Sequence, residues 1–249
     1  MVKFLRHASF PLALVLVLIF IDLVFIGLNI KYWLDGTLTP RFDVTIDKSY
    51  AEKFNYLKWI LCALAMLWLF VREHDRLYIA WSALFFYLYA DDSLRLHELG
   101  GKVVTQIAGW DGQMFGVRAQ DIGELVVFGL TGGVLLGAVA AAYWWSSSPA
   151  AKSLSRWLVG GFVVFACFAV VADLAHIVLS GNARFAAGIV EDGGEMIVAS
   201  ILVYLIAKEM SRSWAREQVS IEPERLASAP LSAAPWPSGA QSFTRARSD

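Results

Sequence analysis

Cysteine, proline and charge are all scarce in this sequence. The 249 residues include two cysteines, Cys62 and Cys167, and both lie inside apolar runs, which excludes a disulfide framework and a paired-cysteine metal site. Four of the seven prolines follow position 220, so the body of the chain is free to form helices. Charged residues make up 17% of the chain and the net charge is −1, which removes the electrostatic basis for binding nucleic acid.

Long apolar runs are what the sequence has in abundance. Hydrophobic residues make up 57% of the chain and the mean hydropathy is +0.55, a balance that indicates a lipid bilayer as the partner. A membrane-spanning helix needs about 20 mainly apolar residues. Six segments meet or approach this length, which predicts an all-α protein with a six-helix transmembrane bundle over residues 1–210. The predicted helices cover about residues 10–30, 56–71, 77–99, 121–145, 157–179 and 188–206.

Basic residues predict how this bundle is oriented. Those nearest the ends of the predicted spans fall mainly on one side of the membrane, and they are Arg72, Arg76, Lys152, Arg156, Lys208, Arg212 and Arg216. By the positive-inside rule, both termini then lie in the cytoplasm and the chain is a multi-pass protein of the plasma (inner) membrane. Residues 211–249 are rich in Ser, Ala, Pro and Arg with little periodicity, which predicts a disordered cytoplasmic tail.

Small residues predict where the helices approach one another closely. Gly133, Gly137 and Ala141 form a stripe on the fourth predicted helix, and glycine pairs occur at 160–161 and 193–194 on the fifth and sixth. Such residues let helix backbones pack tightly in a membrane.

Acidic residues and histidines are concentrated near one end of four predicted spans. Each ionisable group inside a span costs roughly 2.5–3.5 kcal/mol, so such groups persist mainly when they are paired, hydrated or functional. Because successive helices alternate in direction, the polar ends of these four helices meet in one layer beneath the outer surface, and Asp22 of the first helix falls at the same depth. The layer contains His97 and His176 with the carboxylates Asp91, Asp92, Glu98, Asp121, Glu124, Asp173, Glu191, Asp192 and Glu195.

Helical spacing and charge together indicate a metal site in this layer. Residues three or four apart share a helix face, and facing helices with carboxylates and Glu-x-x-His pairs hold the metals of ferritin-like bundles. Even with the nearby Arg and Lys residues paired, an excess of about five negative charges remains, which protonation or bound cations must neutralise. Mixed carboxylate and imidazole ligation favours Fe, Mn or Zn over Ca or Mg.

The candidate metal ligands are therefore the two histidines and the carboxylates that share their depth. They are His97, Glu98, Asp173, His176, Glu191 and Glu195, with Asp91, Asp92, Asp121 and Glu124 as further ligands or as hydrogen-bond partners of ligands. A purely structural interpretation stays open, because Arg95 is spaced to bridge Asp91 and Glu98 along one helix. Asp121 and Glu191 are also placed to face water at helix N-termini.

Three short strings carry a resemblance to known sequences. ADDSLRLHE (90–98), ADLAH (172–176) and VEDGGEM (190–196) resemble a family of uncharacterised bacterial multi-pass membrane proteins. The shared pattern is an acidic pair followed after four residues by His-Glu, with a later Glu-Asp-Gly-x-Glu-Met. The resemblance spans roughly residues 77–206 and does not imply an activity. It implies that the following residues form a set: Asp91, Asp92, His97, Glu98, Glu191, Asp192 and Glu195. Intramembrane zinc hydrolases of the alkaline-ceramidase type differ from this chain, because they carry a His-x-x-x-His pair that this sequence lacks.

Several functions remain open at this point. The leading hypothesis is a metal-binding membrane protein, extended to a metal-dependent enzyme that acts on a lipid or other hydrophobic substrate; no catalytic residue is assigned. The alternatives are a cation or proton-coupled transporter and a non-catalytic scaffold or assembly subunit. Haem held by His97 and His176 is disfavoured by the surrounding carboxylates.

Overall fold

The computed structural model of the chain describes residues 2–114, 117–172 and 179–227 and confirms an all-α class. The helices are α1 (Val2–Leu34), α2 (Tyr50–Glu73), α3 (Arg76–Leu94), α4 (Leu96–Ala108), α5 (Ala119–Trp145), α6 (Pro149–Ala166) and α7 (Gly181–Ala227). A π-helical turn, Cys167–Ala172, continues α6, and a two-stranded antiparallel hairpin, Gln113–Met114 (β1) with Val117–Arg118 (β2), joins α4 to α5.

Four of these helices are long and apolar enough to cross a membrane, counted over the described residues. They comprise Phe10–Leu34, Tyr50–Glu73, Ala119–Trp145 and Pro149–Val170. The sequence predicted six spans, and the remaining two correspond to α3 and α7, whose acidic residues lower the hydropathy of the helix. The four apolar helices indicate a membrane-embedded protein.

The predicted third helix, 77–99, is two helices in the structure. α3 ends at Leu94, Arg95 adopts a left-handed conformation (φ 56°, ψ 47°), and α4 begins at Leu96. Two hydrogen bonds stabilise this break, because the Arg95 N–H donates to the Asp91 carbonyl and the His97 N–H donates to the Asp91 carboxylate at 2.9 Å. Much of the segment at 100–120, which lies between the third and fourth predicted helices, is consequently the helix α4.

Two tight turns mark one end of the bundle. The side chains of Asp75 and Ser148 cap α3 and α6 by accepting backbone N–H groups of the first helical turn. The Ser146 hydroxyl donates to the Asp75 carboxylate at 2.6 Å, so the α2–α3 and α5–α6 connections are in contact. This end is the one that the sequence predicts to be cytoplasmic.

α7 extends into the region that the sequence predicted to be a disordered tail from residue 211. Helix continues to Ala227, and residues 228–249 lie outside the described part of the chain. Ser213 and Arg216 both bind the carboxylate of Glu73 at the end of α2, and Arg216 also binds the buried Glu209 at 3.0 Å. These tertiary contacts hold a segment whose composition alone does not predict a helix.

α2 is the central helix, packed between α3 and α7, while α1 and α6 pack on α7 and α4 packs on α5. Buried aromatic residues, including Trp59, Trp81 and Phe85, form the middle of the core. Among the glycines predicted to allow close packing, Gly161, Gly193 and Gly194 face side chains of neighbouring helical segments so closely that a Cβ atom there would clash. A Cβ atom on Gly133 or Gly137 of α5 would meet no described atom within 4 Å beyond its own helix backbone.

Candidate functional site

A polar cavity of about 480 Å³ lies at the opposite end of the bundle from the two tight turns. Its wall includes the loop after α1, the end of α3 and the start of α4. The N-terminal ends of α5 and α7 also contribute to it. Arg118, Arg184 and His97 lie in this wall, together with nine carboxylates. These are Asp47, Glu52, Asp91, Asp92, Asp121, Glu124, Glu191, Asp192 and Glu195.

Most of the sequence-predicted set meets in this cavity. Seven of the ten residues that the sequence indicates as metal ligands or their partners line it, namely His97, Glu191, Glu195, Asp91, Asp92, Asp121 and Glu124. Glu98 is instead paired with Arg95, which also binds Asp47 at 3.0 Å. Asp173 and His176 lie outside the described residues. The predicted bridge from Arg95 to Asp91 is replaced by a bond between Asp91 and His97.

Asp91 and His97 form a carboxylate–imidazole pair at the cavity wall. The His97 Nδ1 lies 2.9 Å from Asp91 Oδ2, and the Tyr87 hydroxyl donates to Asp91 Oδ1 at 3.3 Å. Because an ionised carboxylate only accepts hydrogen bonds, Nδ1 carries the proton and Nε2 is left to bind a metal or accept a proton. The hydrogen bond that His97 donates to the Asp91 carboxylate raises the pKa of His97, which lies in α4 and outside the four apolar helices.

The other carboxylates of the wall have separate partners. The indole N–H of Trp59 donates to Asp92 Oδ2 at 2.9 Å. Arg118 holds Asp121 through two contacts of 2.5 and 3.1 Å. The amide of Gln120 donates to Glu124 Oε1 at 2.8 Å, which fixes that carboxylate without neutralising it.

The sequence prediction did not include the contribution of α2 to the site. Glu52 and Asn55 line the cavity, but the predicted second span began at residue 56. The helix begins at Tyr50 because the Ser49 side chain accepts the Glu52 N–H and caps it. A capping serine followed three residues later by glutamate is the signal that could have located this start.

Asp22 was predicted to share the acidic layer, and the structure instead pairs it with Lys58. Lys58 Nζ donates to Asp22 Oδ1 at 2.6 Å and to the Met196 carbonyl at 2.8 Å, and both charged side chains are fully buried. The Ser200 hydroxyl also donates to Asp22 at 2.6 Å. Since Met196 lines the cavity, this ion pair lies directly behind the cavity wall.

α4 and α5 meet backbone to backbone beside Glu124. A Cβ atom on Gly101 would lie 2.6 Å from Glu124 Cγ and 2.8 Å from its backbone nitrogen, and a Cβ on Gly123 would lie 2.6 Å from the Gly101 carbonyl oxygen. Neither residue tolerates a side chain without movement of the helices. This contact therefore positions Glu124 against the end of α4 that carries His97.

Replacing Gly101 with alanine is expected to destabilise the protein and displace Glu124. Overpacking of this kind costs about 1–3 kcal/mol, and thermal unfolding of the purified protein measures it. Gly133→Ala is the matched control, since a Cβ atom placed there would have no described atom within 4 Å apart from its own helix backbone, and alanine there is expected to be neutral or slightly stabilising. Equal melting temperatures for the two variants would contradict the close packing of α4 on α5.

The arrangement is suited to binding cations. Against nine carboxylates, the described wall presents two arginines and one histidine. Within the described ranges, no three His, Cys, Asp or Glu side chains stand close enough together to hold an ion as they are. An ion in this cavity would therefore keep water ligands or draw the surrounding carboxylates inward.

Comparison with known proteins identifies a family. Residues 8–208 match the family described as "Domain of unknown function (DUF8692)". The match covers most of the chain, so the chain belongs to this family. No curated protein and no solved structure matches it.

Proposed function

We propose that this member of the DUF8692 family is a multi-pass membrane protein that binds a divalent transition metal, Fe, Mn or Zn, in the cavity near the outer surface. The observation that carries the proposal is a single cavity lined by nine carboxylates and by a histidine that a carboxylate orients. So many like charges in one cavity need either protons or bound cations to neutralise them.

The proposal includes six membrane crossings with both termini in the cytoplasm. α3 begins beside the Asp75 turn and ends at the cavity, and its 19 residues extend roughly 28 Å, close to the thickness of the hydrocarbon layer. α7 leads from the cavity back to Glu73 at the other end. Both helices pack on α2, which is one of the apolar helices, and this packing shields their acidic residues from lipid.

His97 is the principal nitrogen ligand in this proposal. A histidine that ligates a metal usually donates its second ring N–H to a carboxylate, as His97 does to Asp91. Glu124, Glu191 and Glu195 line the same cavity and supply oxygen ligands. Because metal binding needs a neutral imidazole, affinity is expected to fall as the pH drops through the raised pKa of His97.

The cavity also has room for a substrate beside the metal. Its volume is within the range of small-molecule sites, and one part of its wall is apolar, formed by Leu125, Phe128, Phe165 and Ala169. A metal with an open position could activate water or a substrate oxygen there, and a carboxylate that does not bind the metal could act as general base. A metal-dependent enzyme acting on a hydrophobic substrate is the activity that this combination supports.

A cation or proton-coupled transporter is the second candidate function. It is favoured by the buried Asp22–Lys58 pair, which extends the ionisable groups from the cavity wall to the middle of α1. Uptake of metal into proteoliposomes that is lost in Glu195→Gln would favour transport over catalysis.

Elemental analysis tests the metal site. The full chain, purified in detergent at neutral pH and reconstituted with metal, is expected to hold about one equivalent of Fe, Mn or Zn, and His97→Asn is expected to lose it because the nitrogen ligand is removed. His74→Asn is the matched control, since His74 is exposed at the end of α2 in a left-handed conformation that asparagine tolerates. Wild-type protein without bound metal, or equal metal content in both variants, would refute the proposal.

A further inference from the structure

We infer that the protein holds a phospholipid with an anionic headgroup in an apolar groove that is separate from the acidic cavity. The groove has a volume of about 310 Å³ and lies between α1, α2 and α7, in the half of the bundle that carries the two tight turns. The inference goes beyond the proposed metal site and does not require that site to be occupied. It rests on the lining of the groove and on a basic residue, Arg72, at one end of it.

Every side chain that lines the groove is apolar, and Ala65 and Met210 are examples. Phe10, Leu61 and Leu64 line the groove and are also exposed, so it opens at the surface of the bundle. Because α1 and α2 are both long and apolar enough to cross a membrane, this surface faces lipid acyl chains. An apolar groove offers water no hydrogen-bond partner, so an acyl chain is the occupant that its lining fits.

Arg72 lies at one end of the groove, four residues beyond Trp68 on the same face of α2. Trp68 lines the groove, and the guanidinium carbon of Arg72 lies 4.7 Å from the centroid of the Trp68 ring and 5.2 Å from that of Trp214. The two indoles hold the guanidinium beside the groove. Tryptophan is typical of the membrane interface, where lipid headgroups lie. The apolar groove and its basic end therefore match the chain and the headgroup of one lipid.

The charge at this end of the groove fits an anionic headgroup. Nη2 of Arg72 binds Glu217, while Nε and Nη1 have no acceptor among the described residues, and a guanidinium binds phosphate oxygens through such N–H groups. Lys3 and Arg6 precede Phe10 by seven and four residues, the spacings of one helix face, so α1 adds two basic residues toward the same end. Basic pockets between helices at a membrane surface are typical of anionic lipid sites.

Native mass spectrometry of the delipidated full chain in detergent tests this site, with phosphatidylglycerol and phosphatidylcholine added as separate probes. Wild-type protein is expected to bind one phosphatidylglycerol about fivefold or more tighter than phosphatidylcholine, the factor for one basic residue near anionic lipid. Arg72→Gln is expected to lower this preference about fivefold, and Arg72→Lys is expected to keep it because lysine retains the charge.

Ala65→Trp tests the acyl-chain part of the site. It is expected to bind both lipids about tenfold or more weakly, because the indole excludes acyl-chain methylene groups that each contribute roughly fourfold. Leu61→Trp covers the case in which Ala65→Trp does not fold. Leu61 lines the groove and is 40% exposed, so a larger side chain there can lie along the groove without displacing the core. The same loss is expected, whereas an unchanged affinity would count against the groove as the acyl-chain site.

Val134→Trp and Arg156→Gln are the matched controls. Val134 is exposed on α5 and Arg156 is exposed on α6, and neither lines the groove. Both variants are expected to keep the wild-type affinity and preference. Equal affinity of the wild-type protein for the two lipids, wild-type binding by Ala65→Trp, or equal losses in a variant and its control would overturn the inference. A dimer of the chain that Ala65→Trp dissociates would also overturn it, because the groove would then hold a second copy.

Discussion

Replacing Lys58 with methionine is expected to lower the free energy of unfolding by about 3–5 kcal/mol, because Asp22 would remain buried without its counter-charge. The two side chains are fully buried and their charged atoms lie 2.6 Å apart. Lys58 also binds the Met196 carbonyl, so the pair connects α1 and α2 to α7. Chemical denaturation in detergent, followed by tryptophan fluorescence, measures the loss.

The double variant Asp22→Leu/Lys58→Met distinguishes the cost of leaving one charge unpaired from the contribution of the ion pair as a whole. Replacing both members of a buried ion pair with apolar residues is often neutral, so the double variant is expected to recover most of the stability that Lys58→Met loses. Lys31→Met is the matched control, because Lys31 pairs with Asp35 at the exposed end of α1 and its loss is expected to have no measurable effect. Additive losses in the double variant would show that the two charges do not act as a pair.

Replacing Asp91 with alanine is expected to weaken transition-metal binding about 10–100-fold, the usual effect of removing the carboxylate that orients a metal-binding histidine. The Asp91 carboxylate accepts hydrogen bonds from both the ring and the backbone N–H of His97, so its loss also removes a cap of α4. Asp91→Asn keeps an acceptor for the backbone bond but not the charge. Its fold is therefore expected to persist while its Zn²⁺ affinity falls.

Competition with a coloured chelator measures the Zn²⁺ affinity of these Asp91 variants. Asp75→Ala is the matched control, because Asp75 caps α3 at the opposite end of the bundle. Its loss is expected to cost about 1 kcal/mol of stability, the usual value for a helix cap, without changing metal affinity. Wild-type Zn²⁺ affinity in Asp91→Ala would mean that His97 is not a ligand.

Helix direction explains why much of the cavity was predictable. Once the chain is interpreted as alternating helices, acids at the end of α3 and at the starts of α5 and α7 must meet at one end of the bundle. Asp91, Glu124 and Glu195 do line one cavity. The prediction required only the spacing of residues along a helix face and the alternating direction of successive helices, and both can be inferred from the sequence.

Local backbone geometry explains what the sequence did not predict. The left-handed turn at Arg95 depends on the Asp91 side chain accepting a hydrogen bond six residues along the chain, and nothing in the residue order at 94–98 indicates it. The pairing of Asp22 with Lys58 joins residues 36 positions apart. The predicted depth of Asp22 in the membrane put it level with the acidic residues of the cavity, but its ion-pair partner is determined by tertiary packing.

X-ray absorption at the metal edge of the purified protein is the most direct test of the central claim, that the cavity holds a transition metal through His97 and carboxylates. The account predicts one imidazole nitrogen and several oxygens at about 2.0–2.2 Å from the metal, with the imidazole signal lost in His97→Asn. A metal shell without imidazole in the wild-type protein, or a protein that retains no Fe, Mn or Zn, would contradict the account.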